Sequence, residues 1–322
     1  MNFHRKNNLR LSKITIIILL PFVSFAGNAA ELCENFTSYE VIKKFHEEYN
    51  STIAASFKNS YFGREGYVQP LESPDTESLS LELPDLNVRE GEEQNFRARS
   101  QIVIYKDAPG NYVEGTTLYN FPSKIFQMSP DVTENGSWFS IFELWLGRNW
   151  IYPRKSFRIT VYLKFISDVP SIKSNNTQSK ISLILVGQQF NGHSNKWLTP
   201  SWSFDTKTFQ IGSGDILKII YSVNRNKDTN DSLGNFLFIR QNLTETNQDE
   251  TIIAFKLPSI ASSVQGEIGT SDYYIDGIVP AKFYTNRKGW LNLLSSYKPS
   301  TPSINILKFS ANFCNKSIDA HE

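Results

Sequence analysis

The chain has 322 residues, of which 33 are Lys or Arg and 32 are Asp or Glu, for a formal net charge of +1. This balance excludes a globally basic nucleic-acid binder, because the affinity of such a protein rests on an excess of Lys and Arg that neutralises phosphates. We therefore expect no nucleic-acid partner.

The first 30 residues have the parts of a signal peptide. Basic residues precede a short apolar run over 14–26, and small residues follow in the sequence SFAGNAA at 24–30. The run is shorter than the ~20 residues that span a bilayer, so we expect cleavage and no stable membrane insertion, with a retained N-terminal anchor as the alternative. Cleavage would remove four of the 33 basic residues and leave 29 against 32 acidic ones, a net charge of −3. A secreted or periplasmic protein of residues 31–322 is predicted.

The chain has two cysteines, Cys33 and Cys314, close to the two ends of the exported part. In an oxidising compartment such a pair predicts a disulfide. The chain-entropy model assigns a loop of this length about 5–6 kcal/mol. No Cys-x-x-Cys element or metal-ligand spacing occurs, so the sequence predicts no metal site and no cofactor.

Two segments precede the main β region. Thr37 and Glu40 have the spacing of a capping box, and apolar residues on one helical face follow, which predicts an amphipathic helix over about 38–50. The segment of about 66–94 carries eight carboxylates and one basic residue, Arg89. It is predicted to be an acidic surface loop with one short edge strand at 79–83, where leucines alternate with polar residues.

From residue 97 onward the pattern is that of short strands separated by turns. Turn material includes Asn-Gly at 191–192 and Gly-Ser-Gly at 212–214, and no repeat of 20–50 residues is visible. The sequence therefore predicts an all-β fold, an antiparallel two-sheet β-sandwich in a single domain with one open concave face. The predicted strands lie near 100–106, 115–121, 138–146, 156–166, 180–190, 197–204, 207–211, 216–223, 235–240, 251–257, 281–285 and 303–309.

Alternation along two of these strands places polar and aromatic groups together. Side chains two residues apart on a strand point the same way. Arg97, Arg99 and Gln101 are therefore expected on one face, and Glu143 and Trp145 on a face shared with Phe139 and Ile141. Guanidinium and amide groups near an aromatic ring suit a polar, ring-shaped and anionic ligand such as a sugar acid. These residues point to a polysaccharide partner.

Four segments carry a resemblance to a known group. They are Arg99–Ile102, Phe142–Trp145, Arg158–Tyr162, and Asp276–Pro280 followed by Lys282–Thr285. Their order resembles that of the concanavalin A-like jelly-roll proteins that act on polysaccharides, including alginate-lyase-like and heparin-lyase-like enzymes, over about residues 80–313. The resemblance implies a concanavalin A-like jelly roll that cleaves a uronic-acid-containing glycan by β-elimination.

The resemblance also implies roles for individual residues. Arg99 and the Gln189 amide would neutralise the uronate carboxylate, and Tyr284 or His193 would move the proton. The residues expected to bind the substrate are Arg97, Gln101, Glu143, Trp145 and Lys282. The sequence departs from the pattern of these lyases at two places. Gln101 stands where the lyase motif has Glu. The compact Gln-x-His element is absent, and His193 lies four residues beyond Gln189.

Two other functions fit parts of the pattern. A non-catalytic glycan-binding or cell-surface module would keep the jelly roll and the aromatic residues without a matched acid and base. A glycoside hydrolase would need two carboxylates at a set separation. Glu143 is the one acidic residue among its alternating neighbours, which makes the hydrolase the less favoured alternative.

Overall fold

The computed structural model describes residues 33–40, 64–65, 67–70, 78–82, 97–122, 137–147, 156–166, 178–191, 196–225, 230–242, 248–263, 275–286 and 303–314. The predicted signal peptide, residues 41–50 of the predicted helix, most of the acidic segment and His193 lie outside these ranges. The strands are β1 (Cys33–Thr37), β2 (Arg64–Glu65), β3 (Tyr67–Pro70), β4 (Leu79–Glu82), β5 (Arg97–Gly110), β6 (Tyr112–Asn120), β7 (Ser137–Gly147), β8 (Ser156–Ile166), β9 (Gln178–Asn191), β10 (Lys196–Trp197), β11 (Trp202–Asp205), β12 (Phe209–Gly212), β13 (Ile216–Asn224), β14 (Ser232–Asn242), β15 (Gln248–Ser259), β16 (Ile275–Asn286) and β17 (Ser303–Cys314). A one-turn helix, Ile260–Ser263, follows β15.

These strands form two sheets. The first has the order β15-β14-β13-β6-β17-β4-β3, with β1 also paired to β17, and the second has the order β10-β9-β8-β7-β16-β5-β2, with β11 and β12 also paired to β9. All pairs are antiparallel except β2 with β5. Neighbours such as β6 and β17, or β16 and β5, are distant in sequence because the chain crosses repeatedly between the sheets. The predicted two-sheet jelly roll is confirmed.

The core lies between the two sheets and follows from the alternation of apolar residues. On β13 every second residue from Leu217 to Val223 is at most 1% exposed, and on β8 every second residue from Phe157 to Leu163 is fully buried. The rings of Phe142 on β7 and Tyr221 on β13 lie 4.9 Å apart between centroids, so the sheets meet through their aromatic side chains. No helix in the described ranges is long and apolar enough to cross a membrane.

The strand predicted in the acidic segment is present, but it is not an edge strand. β4 pairs with β17 on one side and with β3 on the other. Leu79 and Leu81 are at most 1% exposed. The alternation of leucines identified the strand, whereas its neighbour β3 has no comparable pattern in the sequence.

The N-terminal segment is attached to the last strand. Cys33 and Cys314 form the predicted disulfide, with their Cα atoms 4.1 Å apart, and they are direct partners in the register of β1 and β17. The capping box is also confirmed. The Thr37 amide donates to Glu40 Oε2 at 3.1 Å, and the Glu40 amide donates to Thr37 Oγ1 at 3.2 Å. A helical turn therefore begins at Ser38, immediately after β1.

Replacing both cysteines with alanine should lower the free energy of unfolding by about 2–5 kcal/mol, because the disulfide closes nearly the whole described chain into one loop. Urea unfolding of the oxidised protein and of the double variant measures the difference. The double variant should be insensitive to reductant, whereas the unmodified protein should lose stability when reduced. Equal midpoints for the two proteins in the absence of reductant would contradict the prediction.

Candidate active site

The face of the second sheet turned away from the core, hereafter the site face, carries a cluster of polar side chains. Glu143, Arg158 and Lys282 come from three neighbouring strands, β7, β8 and β16. The other side chains of the cluster are Gln101, Ser140, Trp145, Thr160, Tyr162, Gln188 and Tyr284.

Glu143 reaches the site face because β7 contains a bulge. Ser140 and Phe142 are partners of consecutive β8 residues, Tyr162 and Val161, so β7 has one extra residue at this point. A bulge of this kind exchanges the faces of all the residues that follow it. Phe139 lies on the core face, and the predicted face shared by Phe139 and Glu143 is therefore wrong. Glu143 and Trp145 do share a face.

A second bulge brings Lys282 to the site face. Ile278 and Ala281 on β16 are three residues apart, whereas their partners on β5, Ile104 and Ile102, are two residues apart, so β16 has one extra residue here. Regular pairing would place Lys282 toward the core. The extra residue instead pairs Lys282 with Gln101.

Lys282 and Arg158 share the carboxylate of Glu143. Lys282 Nζ lies 2.5 Å from Glu143 Oε1, and Arg158 Nη1 lies 3.4 Å from the same oxygen. The side chains of Lys282 and Glu143 are only 5% and 4% exposed, and that of Arg158 is 18% exposed. A buried charge is tolerated when it is paired. Among the described side chains, two cations therefore lie beside one carboxylate.

The Arg158 side chain is held in one direction by Gln188. Gln188 Oε1 accepts hydrogen bonds from Arg158 Nε at 3.2 Å and Nη2 at 2.8 Å. Gln188 Nε2 in turn donates to the Leu198 carbonyl at 3.3 Å. An uncharged amide thus fixes the guanidinium without neutralising it, which is the arrangement expected of a preorganised anion-binding group.

Two tyrosines stand beside this charged group. Tyr162 and Tyr284 are both partners of Ser140, one from each neighbouring strand. Lys282 Nζ lies 5.2 Å from the centroid of the Tyr284 ring, within the range of a cation–π contact. Burial raises the pKa of Tyr162 above its ordinary value, the Arg158 charge partly offsets this rise, and the Glu143 charge adds to it. Tyr162 therefore remains protonated at neutral pH.

The structure brings several of the sequence-derived candidates together. Gln101 is 7% exposed and pairs with Lys282, and Trp145 is half-buried opposite Arg158. Arg99 is the register partner of Tyr284, and Arg97 is the register partner of Asn286. The side chains of Arg97 and Arg99, and the whole of His193, lie outside the described residues.

Gln189 is placed elsewhere. It is 3% exposed, and its partner is Phe157 on the core face of β8, whereas Gln188 pairs with Arg158 on the site face. Adjacent residues of a strand point to opposite faces, so the amide that reaches the cluster belongs to Gln188. Gln189 therefore lies apart from the cluster, on the core face of β9.

Apart from Ser140 and Thr160, three site residues carried no assigned role in the sequence analysis, namely Arg158, Tyr162 and Gln188. A signal for two of them exists, because Arg158, Thr160 and Tyr162 alternate with Phe157, Ile159 and Val161, so polar residues form one face of β8. Gln188 has no such signal, because Gln188 and Gln189 are identical neighbours at the end of an apolar strand.

No family model and no curated protein sequence matches the chain. Among solved structures, it is similar to a Bacteroides ovatus mixed-linkage glucan PUL GH16 protein in complex with a G4G4G3G product, with 12% sequence identity and a TM-score of 0.33. The match covers 76% of this chain and 84% of that chain. At this TM-score the likeness carries no weight for activity, and the fold assignment rests on the strand topology.

Replacing Lys282 with Met should destabilise the protein by about 3–5 kcal/mol, because the buried Glu143 carboxylate loses its closer cation. Adding Glu143→Gln should recover part of this loss, and a double-mutant cycle by urea unfolding measures the coupling. Lys256→Met on β15, where the lysine is exposed, is the control and should be nearly neutral. Additive effects of the two site substitutions would contradict the pairing.

Stability should decrease as the pH rises above about 10, where tyrosines of the unfolded chain ionise. The raised pKa of Tyr162 favours its neutral form in the folded protein. The stability that this provides is complete below the pKa of Tyr162 in the unfolded chain, and it is lost as the pH rises through the pKa of Tyr162 in the folded protein. Tyr162→Phe should make this alkaline decrease shallower. Free energies of unfolding measured at several alkaline pH values would test this prediction. An equal decrease with pH in Tyr162→Phe and in the unmodified protein would contradict it.

Proposed function

We propose that the protein binds an acidic polysaccharide on the site face and cleaves it at a uronic acid residue by β-elimination. The observation that carries the proposal is the sharing of one buried carboxylate, Glu143, by two cations, Lys282 and Arg158, beside two tyrosines. The Cys33–Cys314 disulfide fits a secreted or periplasmic protein, where such polymers are encountered.

The charge of the cluster favours an anionic ligand. Among the described side chains of the cluster, Lys282 and Arg158 carry two positive charges and Glu143 carries one negative charge. Because the cluster is largely buried, a carboxylate that enters it interacts more strongly than it would in water. Trp145, half-buried on the same face, offers an apolar ring surface against which a sugar can stack.

β-Elimination needs charge neutralisation, a base and an acid. The C5–H bond of the uronate breaks and its proton goes to the base, a double bond forms between C4 and C5, and the C4–O4 bond breaks as the acid protonates O4. Arg158 and Lys282 are proposed to neutralise the carboxylate on which negative charge builds during proton removal. Arg99, aligned with Tyr284, is proposed as a further cation for that carboxylate.

The two tyrosines are suited to the two proton transfers. Tyr162 keeps its proton because burial raises its pKa, so it is proposed as the acid that protonates O4. Tyr284 lies beside Lys282, with its ring centroid 5.2 Å from the ammonium, and it is proposed as the group that receives the C5 proton. His193 is retained as an alternative base.

The site gives less support to a glycoside hydrolase. Hydrolysis of a glycosidic bond by the common mechanism uses two carboxyl groups about 5–10 Å apart. Among the described side chains of the cluster, Glu143 is the single carboxylate, and it is engaged by both cations. Asp205 is exposed on the same face, at β11, where it pairs with Ile184 on β9. A glycan-binding module without activity is the second candidate, favoured by Gln101 at the position where the lyase motif has Glu.

The test is incubation of the purified protein with alginate, polygalacturonate, glucuronan, chondroitin and heparin while ultraviolet absorbance of the unsaturated product is recorded. Tyr284→Phe should reduce turnover on the order of 10²–10⁴-fold because the base is lost. Arg158→Gln should reduce it on the order of 10²–10³-fold because a preorganised charge is lost. Tyr112→Phe and Lys218→Gln, both on the first sheet, are matched controls and should retain full activity.

Other outcomes distinguish the alternatives. New reducing ends without an unsaturated product would replace the lyase with a hydrolase. Absence of any cleavage, together with affinity for one of these polymers that Arg158→Gln abolishes, would identify the binding module. Cleavage that is unaffected by Tyr162→Phe and Tyr284→Phe would refute the assignment of the acid and the base.

A further inference from the structure

Tyr119 connects the first sheet to the two bulges that create the site. It lies on β6, is fully buried, and pairs with Leu217 and Ile306 on the core face of its sheet. Its hydroxyl donates to the Ile141 carbonyl at 2.7 Å and to the Pro280 carbonyl at 2.8 Å. One buried hydroxyl from the opposite sheet thus contacts β7 and β16 at once.

Both acceptors lie where strand registers are interrupted. Ile141 falls between Ser140 and Phe142, where β7 shifts relative to β8. Pro280 falls between Ile278 and Ala281, where β16 shifts relative to β5. Neither Ile141 nor Pro280 has a paired residue in the registers of the described neighbouring strands.

We propose that Tyr119 is a positioning residue for the Lys282–Glu143 ion pair, acting through these two carbonyls; its effect on turnover rests on the proposed function. Each bulge reverses the face of the residues that follow it, and both reversals are needed to place Glu143 and Lys282 together. A shared hydrogen bond from the core fixes the two bulges relative to each other. It therefore fixes the contact between the carboxylate and the ammonium.

The Tyr119 hydroxyl is suited to act as a permanent hydrogen-bond donor. Burial raises the pKa of Tyr119 well above its ordinary value, and the neighbouring Tyr221 adds to the rise. The group thus keeps its proton over the working range of the protein. Removal of the hydroxyl would leave two buried carbonyls with one donor fewer, which favours rearrangement of both bulges.

Tyr221 provides a matched control. It is 1% exposed, lies on the neighbouring strand β13, and donates its hydroxyl to the Ser310 carbonyl at 3.0 Å within the first sheet. Ser310 is a regular partner in the β17–β6 register, outside both bulges. Tyr119→Phe and Tyr221→Phe each remove one buried hydroxyl, but only the Tyr119 hydroxyl bonds to the bulges of β7 and β16. The contact of the Tyr221 ring with Phe142 is kept in Tyr221→Phe, because that variant retains the ring.

The experiment compares the two variants by NMR with labelled lysine and by hydrogen exchange. The Lys282 signal, assigned from its loss in Lys282→Met, should shift in Tyr119→Phe and remain in place in Tyr221→Phe. Amide exchange over 140–143 and 278–282 should become at least about tenfold faster in Tyr119→Phe only. Indistinguishable spectra and exchange rates for the two variants would overturn the proposal.

Activity gives a separate readout. If the unmodified protein cleaves one of the polymers tested, Tyr119→Phe should lower kcat about tenfold or more with a smaller change in KM, because a small misplacement of reacting groups affects the chemical step. If no polymer is cleaved, the proposed function fails, while the spectra and exchange rates still decide the role of Tyr119. Should Tyr119→Phe fail to fold, exchange in the unmodified protein decides, and rapid exchange at the two bulges would refute their fixation.

Discussion

The burial of Glu143 is the constraint on which the site depends. A carboxylate that is almost completely removed from solvent requires a nearby positive charge, and here it has two, from Lys282 and Arg158. The requirement is met only if β7, β8 and β16 are adjacent and if all three residues lie on the same face. The bulges on β7 and β16 of the second sheet place Glu143 and Lys282 on that face.

A second buried ion pair in the structure shows what a purely structural one looks like. Asp215 is fully buried and accepts hydrogen bonds from Arg240 Nε and Nη2 and from the Gly212 amide, all at one oxygen. The bond from the Gly212 amide closes the turn between β12 and β13, where Gly214 has a positive φ of 99°. Arg240 comes from β14 and also lies 3.7 Å from Glu250 on β15, so one guanidinium is placed between two carboxylates. At Glu143 the described side chains show the opposite ratio, with two cations beside one carboxylate.

The two sheets contribute different features to the fold. The first sheet has an N-terminal strand attached by a disulfide and a capping box that begins a helical turn, and its register shifts lie in the β14–β15 and β17–β6 pairs. The second sheet has the same apolar core face, and its bulges on β7 and β16 decide which residues face the site. Tyr119 crosses the core from the first sheet to these two bulges, so the packing that stabilises the fold also determines the geometry of the polar face.

The sequence by itself determined the class of fold, the disulfide and the capping box, because each depends on local spacing or on two unique cysteines. It also selected Arg99, Gln101, Lys282 and Tyr284 as candidate site residues, whereas the pairing of their two strands is a finding of the structure. The tertiary structure decided which residues of β7 and β9 face the site. In FSIFELWL the apolar residues Ile141 and Phe142 are adjacent, so alternation alone does not say which of them is the extra residue, and Gln188 and Gln189 are chemically identical until the register is known. One extra residue reverses every face beyond it, and that residue is selected by cross-sheet contacts such as those of Tyr119, which involve strands far apart in sequence.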